Sequence, residues 1–252
     1  MILFGDYHTH TQYSDGVGTI EQNVKSAQAK GLKEVALTDH GFSHMAHGMK
    51  REQLEDYKQE LAEAQKKYPD IKVLFGIESN IVGINGEIDI NPSERDIFDV
   101  VLVGYHRTFK ANNMKSFFKF WMPNTLGLTF SKKRRKQRNT MAYIKAIENN
   151  RIDIVAHLKL WCDVDSVQIA KVAAKHNTYI ELNGKRVLFA EQEMQDMIST
   201  GVKFIINSDS HNPQGLGKAN IGFNFAEKYN IPLNQLANVN KLPQFQNYIR
   251  NK

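Results

Sequence analysis

"EVALTDH", residues 34–40, is an apolar, β-branched run that ends in an acidic residue and a histidine. Runs of the same kind recur along the chain: "ILF" near residue 2, "IKVLFGI" at 71–77, "DVVLVGY" at 99–105, "IDIVA" at 152–156, "TYIEL" at 178–182 and "VKFII" at 202–206. Seven strands are therefore expected. Helical patterns lie between them. Thr19 and Gln22 form a capping box, Ile20, Val24 and Ala27 keep helical spacing, and Gly31 stops the helix. A second helix over about 51–68 aligns Leu54, Tyr57, Leu61 and Ala64 before Pro69, and others are expected near 139–149, 164–176 and 190–200. Strand and helix in alternation predict a parallel sheet, because parallel neighbours need crossover connections. Seven such units can close into an α/β barrel of the TIM-like kind; a doubly wound open sheet satisfies the same periodicity.

The chain has 252 residues and no low-complexity linker, which predicts one domain over 1–252. Its least regular part, about 107–135, is too long for an ordinary βα loop and is expected to be an insertion, with aromatic residues that can pack as a lid. Cys162 is the sole cysteine, so an internal disulfide and a thiolate zinc cluster are both excluded. Neither a signal-peptide pattern nor an apolar run of membrane-spanning length is present, and a cytoplasmic protein that does not contact membrane is expected. The net charge of +6 is concentrated in "KKRRKQR", residues 132–138; without its six cations the remaining basic and acidic residues balance at 27 each. Lys132–Arg138 fits either a solvated helix start or a contact for phosphate or nucleic acid.

The histidines fall in a pattern. His8 and His10, alternate residues of "HTH", follow the first strand and can face one point. His40 follows strand two, Glu78 ends strand three, His106 ends strand four, His157 ends strand five, and Asp209 and His211 follow strand seven. Parallel barrels carry their sites at that edge. With Asp15 the candidate metal-ligand set is His8, His10, Asp15, His40, Glu78, His106, His157, Asp209 and His211, too many for one ion of about four ligands and enough for two or three. Imidazole and carboxylate suit Zn, Mn or Fe, and Glu78 and Asp209 are the expected bridging ligands at the reaction centre. Asp39 fits either an orienting partner or a turn cap. His44 and His47 can reach substrate or solvent, and His176 is read as closing a helix.

The series "HTH", "SDG", "TDH", "GIES", "GYH", "AH" and "NSDSH", in this order along nearly the whole chain, resembles the PHP (polymerase and histidinol phosphatase) superfamily, in particular stand-alone bacterial PHP phosphoesterases. That resemblance implies a distorted (β/α)7 barrel with two or three divalent ions and phosphoester hydrolysis. It also implies a grouping: His8, His10, Glu78 and Asp209 on one ion, Asp15, His40 and His211 on a second, Glu78, His106 and His157 on a third. Asp15 stands where stand-alone relatives often carry histidine, and "HLKLW" replaces their "HP" after strand five. Water shared between two cations loses a proton near neutral pH and can attack phosphorus. Arg107, Lys159, Lys185 and Arg186 flank the donors and fit an anionic substrate, with Arg107 and Arg186 the expected phosphate contacts; Asn183 fits substrate or ligand support. Three functions stay open: a phosphatase for a small phosphomonoester such as histidinol phosphate, a nuclease or phosphodiesterase using Lys132–Arg138, and a non-catalytic metal-binding module. No "GxSxG" elbow or P-loop motif supports a serine hydrolase or a P-loop nucleotide site.

Overall fold

A computed structural model describes residues 1–128 and 131–248. Seven strands form, as β1 (Gly5–Asp6), β2 (Glu34–Leu37), β3 (Lys72–Asn80), β4 (Val100–Gly104), β5 (Ile154–Val155), β6 (Tyr179–Asn183) and β7 (Phe204–Asn207), the first just after the expected "ILF", where Leu3 makes only an isolated antiparallel bridge to Val239. Every neighbouring pair is parallel, in the order β1 to β7. Side chains and backbone together close the seam between first and last strands. The buried Asp6 carboxylate accepts the backbone N–H of Ser208 at 3.0 Å and of Gly217 at 2.8 Å, Asn207 Oδ1 accepts the N–H of Tyr7 at 3.0 Å, and His10 N–H donates to Ser210 O at 2.8 Å. The sheet is thus a nearly closed, distorted barrel, and the open doubly wound alternative is set aside.

Strand alternation sorts the core into two layers. Ala36, Leu74, Val100, Leu102, Ile154, Ala156, Tyr179 and Ile205 pack together with Tyr7 inside the barrel. Val35, Leu37, Val73, Phe75, Val101, Val103, Ile180 and Ile206 pack outward under the helices. On β3 the inward register runs Leu74, Gly76, Glu78, so the strand that fills the barrel with leucine at one end delivers a carboxylate at the other.

The helices are α1 (Ile20–Ala29), α2 (Leu54–Lys67), α3 (Met114–Ser116), α4 (Met122–Thr125), α5 (Lys132–Asn149), α6 (Ser166–Lys175), α7 (Glu191–Ser199) and α8 (Asn220–Lys228). The Thr19–Gln22 capping box forms in both directions, and Ile20, Val24 and Ala27 are buried as the spacing predicts. α5 begins seven residues earlier than its expected start at 139. Its first two turns are the basic run, whose residues form helix readily but carry no apolar period to reveal it; Ser131 Oγ accepts the N–H of Arg134 at the cap. α8, and the turns of α3 and α4 joined by a π-helical stretch at Phe117–Trp121, are not anticipated by the periodicity. This insertion packs down: Phe120 is fully buried against Tyr105 and Phe109, and Asn124 and Asn139 exchange amide hydrogen bonds at 2.8 Å. Phe118 and Leu126 stay exposed.

Candidate metal centre

Thr9 sets the first pair of donors. Its N–H bonds Thr38 Oγ1 at 3.0 Å and its hydroxyl donates to Ala36 O at 2.8 Å, which turns Thr9 toward β2 and leaves His8 and His10 together on the opposite side. Glu78, fully buried, lies at the centre of the donor cluster. Its Oε1 is 3.3 Å from His8 Nε2, 3.2 Å from His106 Nε2 and 2.6 Å from His157 Nε2, and its Oε2 is 3.7 Å from His10 Nε2 and 2.8 Å from His40 Nδ1. Asp209 Oδ1 lies 3.8 Å from His8 Nε2, 3.6 Å from His10 Nε2 and 3.5 Å from His211 Nδ1. Asp15 Oδ1 lies 3.5 Å from His40 Nε2 and 3.3 Å from His211 Nε2. All nine donors expected from sequence therefore meet in one neighbourhood.

Three subsets have ligand atoms mutually close enough to share an ion: His10, Asp15, His40 and His211; His8, His10 and Glu78; and His40, Glu78 and His106. These subsets overlap the expected grouping without reproducing it: His10 joins the Asp15 group, His40 stands in the His106 group where His157 was expected, and Asp209 and His157 fall in none of the three. Tetrahedral zinc with bonds of about 2.1 Å sets donors about 3.4 Å apart, and most separations here are close to that. The decisive fit is chemical. His8 Nε2, His10 Nε2 and Asp15 Oδ1 are buried atoms that make no hydrogen bond, which is costly unless something else satisfies them. Protons cannot do so evenly. Burial and the neighbouring His40 push the His10 imidazole down to about 3, whereas the Glu78 and Asp15 carboxylates outweigh burial and hold His40 up at about 10. Against its own burial, the surrounding imidazoles hold Glu78 well below the usual carboxylate range. Divalent cations satisfy imidazole lone pairs and ionised carboxylates together.

A second layer orients the donors. Glu181, buried on β6, sits 2.8 Å from His8 Nδ1, accepts the N–H of His157 at 2.8 Å, and is held by the amides of Asn183 and Asn207, each at 3.0 Å. With Nδ1–H donating to Glu181, His8 presents its Nε2 lone pair to the centre. Asn80 Oδ1 does the same for His106, 2.6 Å from its Nδ1, and Asp89 holds the Asn80 amide at 3.0 Å. Sequence reading passes over Glu181, Asn80 and Asp89. The available signal was Glu181 itself, an unpaired carboxylate within a run of strand residues destined for burial. Glu181→Gln is expected to weaken zinc binding by roughly 10- to 100-fold, measured by competition against a chromophoric chelator.

The remaining expectations resolve individually. Asp39 orients no imidazole. It accepts Thr11 N–H, Thr11 Oγ1 and Tyr57 OH, each at 2.7 Å, together with Ser14 Oγ, and so ties down the turn that carries Asp15. His44 stacks on His40 with ring centres 4.7 Å apart, and both its nitrogens are engaged, Nε2 with Thr108 Oγ1 at 2.7 Å and Nδ1 with the N–H of His47 at 3.0 Å. His47 is exposed, and His176 caps the end of α6. Lys159 turns away from the centre to pair with Glu193 at 2.7 Å. Lys185 turns toward it, its ammonium 3.0 Å from Asp209 Oδ1 and 2.9 Å from His211 Nδ1. Asn183 Nδ2 donates to Asp209 Oδ2 at 3.0 Å. Arg107 and Arg186 are exposed and border the cavity of about 370 Å³ into which the donors open.

Backbone conformation is unusual at two donors. His157 has φ 26° and Asp209 has φ 53°, a region non-glycine residues seldom enter and one that functional sites can hold under strain. Gly104, at the end of β4, leaves room beside them: a Cβ there would lie 2.8 Å from His157 Cε1 and 3.5 Å from Glu78 Oε1. Gly104→Ala is expected to displace the His157 ring and lower the bound metal per chain while circular dichroism stays unchanged. A variant with full metal content would show that this ring has freedom to spare.

A family model described as PHP domain matches residues 6–191. The chain is 24% identical, over 98% of its length, to the DNA polymerase/3'-5' exonuclease PolX of Bacillus subtilis (strain 168), and it spans only 41% of that protein. It is 27% identical over 92% of its length to a protein named probable phosphatase from Shewanella frigidimarina, of which it covers 88%. Among solved structures, the histidinol phosphate phosphatase of Lactococcus lactis, determined with zinc, L-histidinol and phosphate, superposes with a TM-score of 0.59 at 19% identity, covering 90% of this chain and 94% of that one. At that identity the likeness concerns the fold.

Proposed function

This chain belongs to the PHP domain family, and from that premise we propose that it is a metal-dependent phosphoesterase that hydrolyses a small phosphomonoester. The observation that carries the reading is Glu78, a carboxylate within 3.7 Å of five imidazoles, with unpaired buried donors around it and cationic side chains at the rim. His8, His10, Glu78 and Asp209 would hold one ion, Asp15, His40 and His211 another, and Glu78, His106 and His157 a third. Bound there, divalent ions supply Lewis acidity at the phosphoryl group and an acidified water. The chain does the rest. Arg107 and Arg186, with planar guanidinium groups at the cavity rim, bind phosphoryl oxygens. Lys185 adds a positive charge beside Asp209 where charge builds on the phosphoryl group. Glu181 and Asn80 fix ring orientation, and Arg107 and Thr108, at the start of the insertion over about 107–135, line the cavity.

The lone, buried Cys162 thiol is compatible with the cytoplasm, and no helix among the described residues is long and apolar enough to cross a membrane. A second reading, hydrolysis of nucleic acid, draws on the exposed Lys132, Lys133 and Arg134 at the start of α5. Elemental analysis of protein purified without chelator, together with p-nitrophenyl phosphate, metabolite phosphomonoesters including histidinol phosphate, and oligonucleotides, tests both. The proposal expects two or three ions per chain and turnover of monoesters. Turnover of oligonucleotides alone, falling steeply with salt, would favour the second reading. No metal and no turnover of either would overturn both.

A further inference from the structure

The metal cavity does not end at Trp161. Arg107, Leu160 and Trp161 line it and also line a second groove of about 440 Å³, which runs under the start of α5 to Arg135. Trp161 is 38% exposed at the junction, with the Arg107 guanidinium 4.4 Å from its ring centre. Arg135 is half-buried. One terminal nitrogen is anchored on Pro123 O at 3.0 Å, and its Nε, fully buried, has no hydrogen-bond partner among the described residues. Other cations nearby have acidic partners: Lys159 has Glu193, and Lys136 has Asp163 at 4.0 Å, a residue that also borders the groove. Among the described residues no carboxylate lies within ion-pair distance of Arg107 or Arg135. Local physics disfavours the Arg135 charge, since a cation near the start of α5 opposes the helix dipole. Breaches of a local rule tend to mark function.

We propose that this groove is a second anion subsite, which receives a phosphate carried on the leaving-group side of the substrate, with Arg135 as its main contact and Arg107 shared between the two cavities. The inference rests on the phosphoesterase reading for its first cavity and narrows the substrate class to elongated molecules with two phosphates. With Nη1 held by Pro123 O and Nε buried, Arg135 offers its second terminal nitrogen to a phosphate, and the exposed Arg107 guanidinium can add paired N–H donors.

The test separates binding from turnover. Metal-loaded full-length protein is titrated calorimetrically with alkylphosphonates and with alkane bisphosphonates of increasing chain length, none of which can be hydrolysed. At the length that spans the two cavities the bisphosphonate is expected to bind about tenfold tighter than its monophosphonate, and Arg135→Met is expected to erase that difference while Arg135→Lys keeps part of it. Equal affinities at every length in the wild type overturn the subsite, as does a preference that survives Arg135→Met. The wild-type comparison decides the matter even if the methionine variant does not fold. A terminally phosphorylated oligonucleotide forms a further arm: binding tighter than every bisphosphonate and weakened by Arg134→Ala assigns the second phosphate to a strand, and the reverse order assigns it to a small molecule, both upholding the subsite. Failure of the wild type to hydrolyse p-nitrophenyl phosphate would count against the phosphoesterase reading and leave these affinities to decide the subsite separately.

Discussion

A Glu78→Gln protein is expected to lose phosphomonoester turnover by on the order of a thousandfold or more and to retain fewer ions than the wild type. The substitution keeps shape and volume nearly unchanged and removes a single negative charge. That charge lies within 3.7 Å of five imidazoles, those of His8, His106 and His157 through Oε1 and those of His10 and His40 through Oε2. A neutral amide cannot offset the repulsion between adjacent cations, and its NH2 group would point a donor at an imidazole nitrogen that must itself remain an acceptor. Metal content by elemental analysis and kcat/KM on p-nitrophenyl phosphate check this together. Wild-type metal content with wild-type rates would show that the carboxylate is a bystander, and the proposed arrangement would fail.

Removal of the ions by a strong chelator is expected to abolish turnover and to lower Tm by on the order of 10 °C. An ion present at 100 to 1,000 times its Kd stabilises the native state by about 3 to 4 kcal/mol, and in a chain of this size about 1 kcal/mol corresponds to roughly 2 to 4 °C. The apoprotein should still fold. Its apolar layers inside and outside the barrel do not involve the donors, and protonation of imidazoles such as His40 offsets part of the carboxylate charge that the ions leave behind. Differential scanning calorimetry before and after chelation, then after return of zinc or manganese, measures the effect. An unchanged Tm in protein shown to be metal-free would contradict the view that the buried, unbonded donors are satisfied by cations.

The donor cluster was legible because most of its members end or closely follow an apolar run, and a run of that kind fixes both the strand and the edge at which it stops. Glu78 shares its strand face with Leu74, so a period of two carries the inference from core to site. Glu181 obeys the same period on β6, and its place in a run destined for burial marks it as needing partners, yet nothing nearby in the sequence says which; its role comes from His8 and His157, far away in the chain. The overlap of the candidate ligand groups at His10, His40 and Glu78 is hidden for the same reason. His40 presents one ring nitrogen to Glu78 and the other to Asp15, a property of ring placement that spacing does not encode. The early start of α5 escaped because lysine and arginine leave no apolar stripe, and the orientation of Lys185 toward Asp209, compared with Lys159 toward Glu193, depends on which partner each flexible chain can reach.

The seam between β1 and β7 has a temporal consequence. Tyr7 and Asn207, which meet there, are 200 positions apart, and the histidines that follow β1 share their centre with Asp209 and His211. A nascent chain emerging from the ribosome holds His8 and His10 early but has no pocket for them until the last strand has been made and has docked. Capture of cations is therefore a late event in biogenesis, and metal content in a pool of growing chains would report completed topology instead of length.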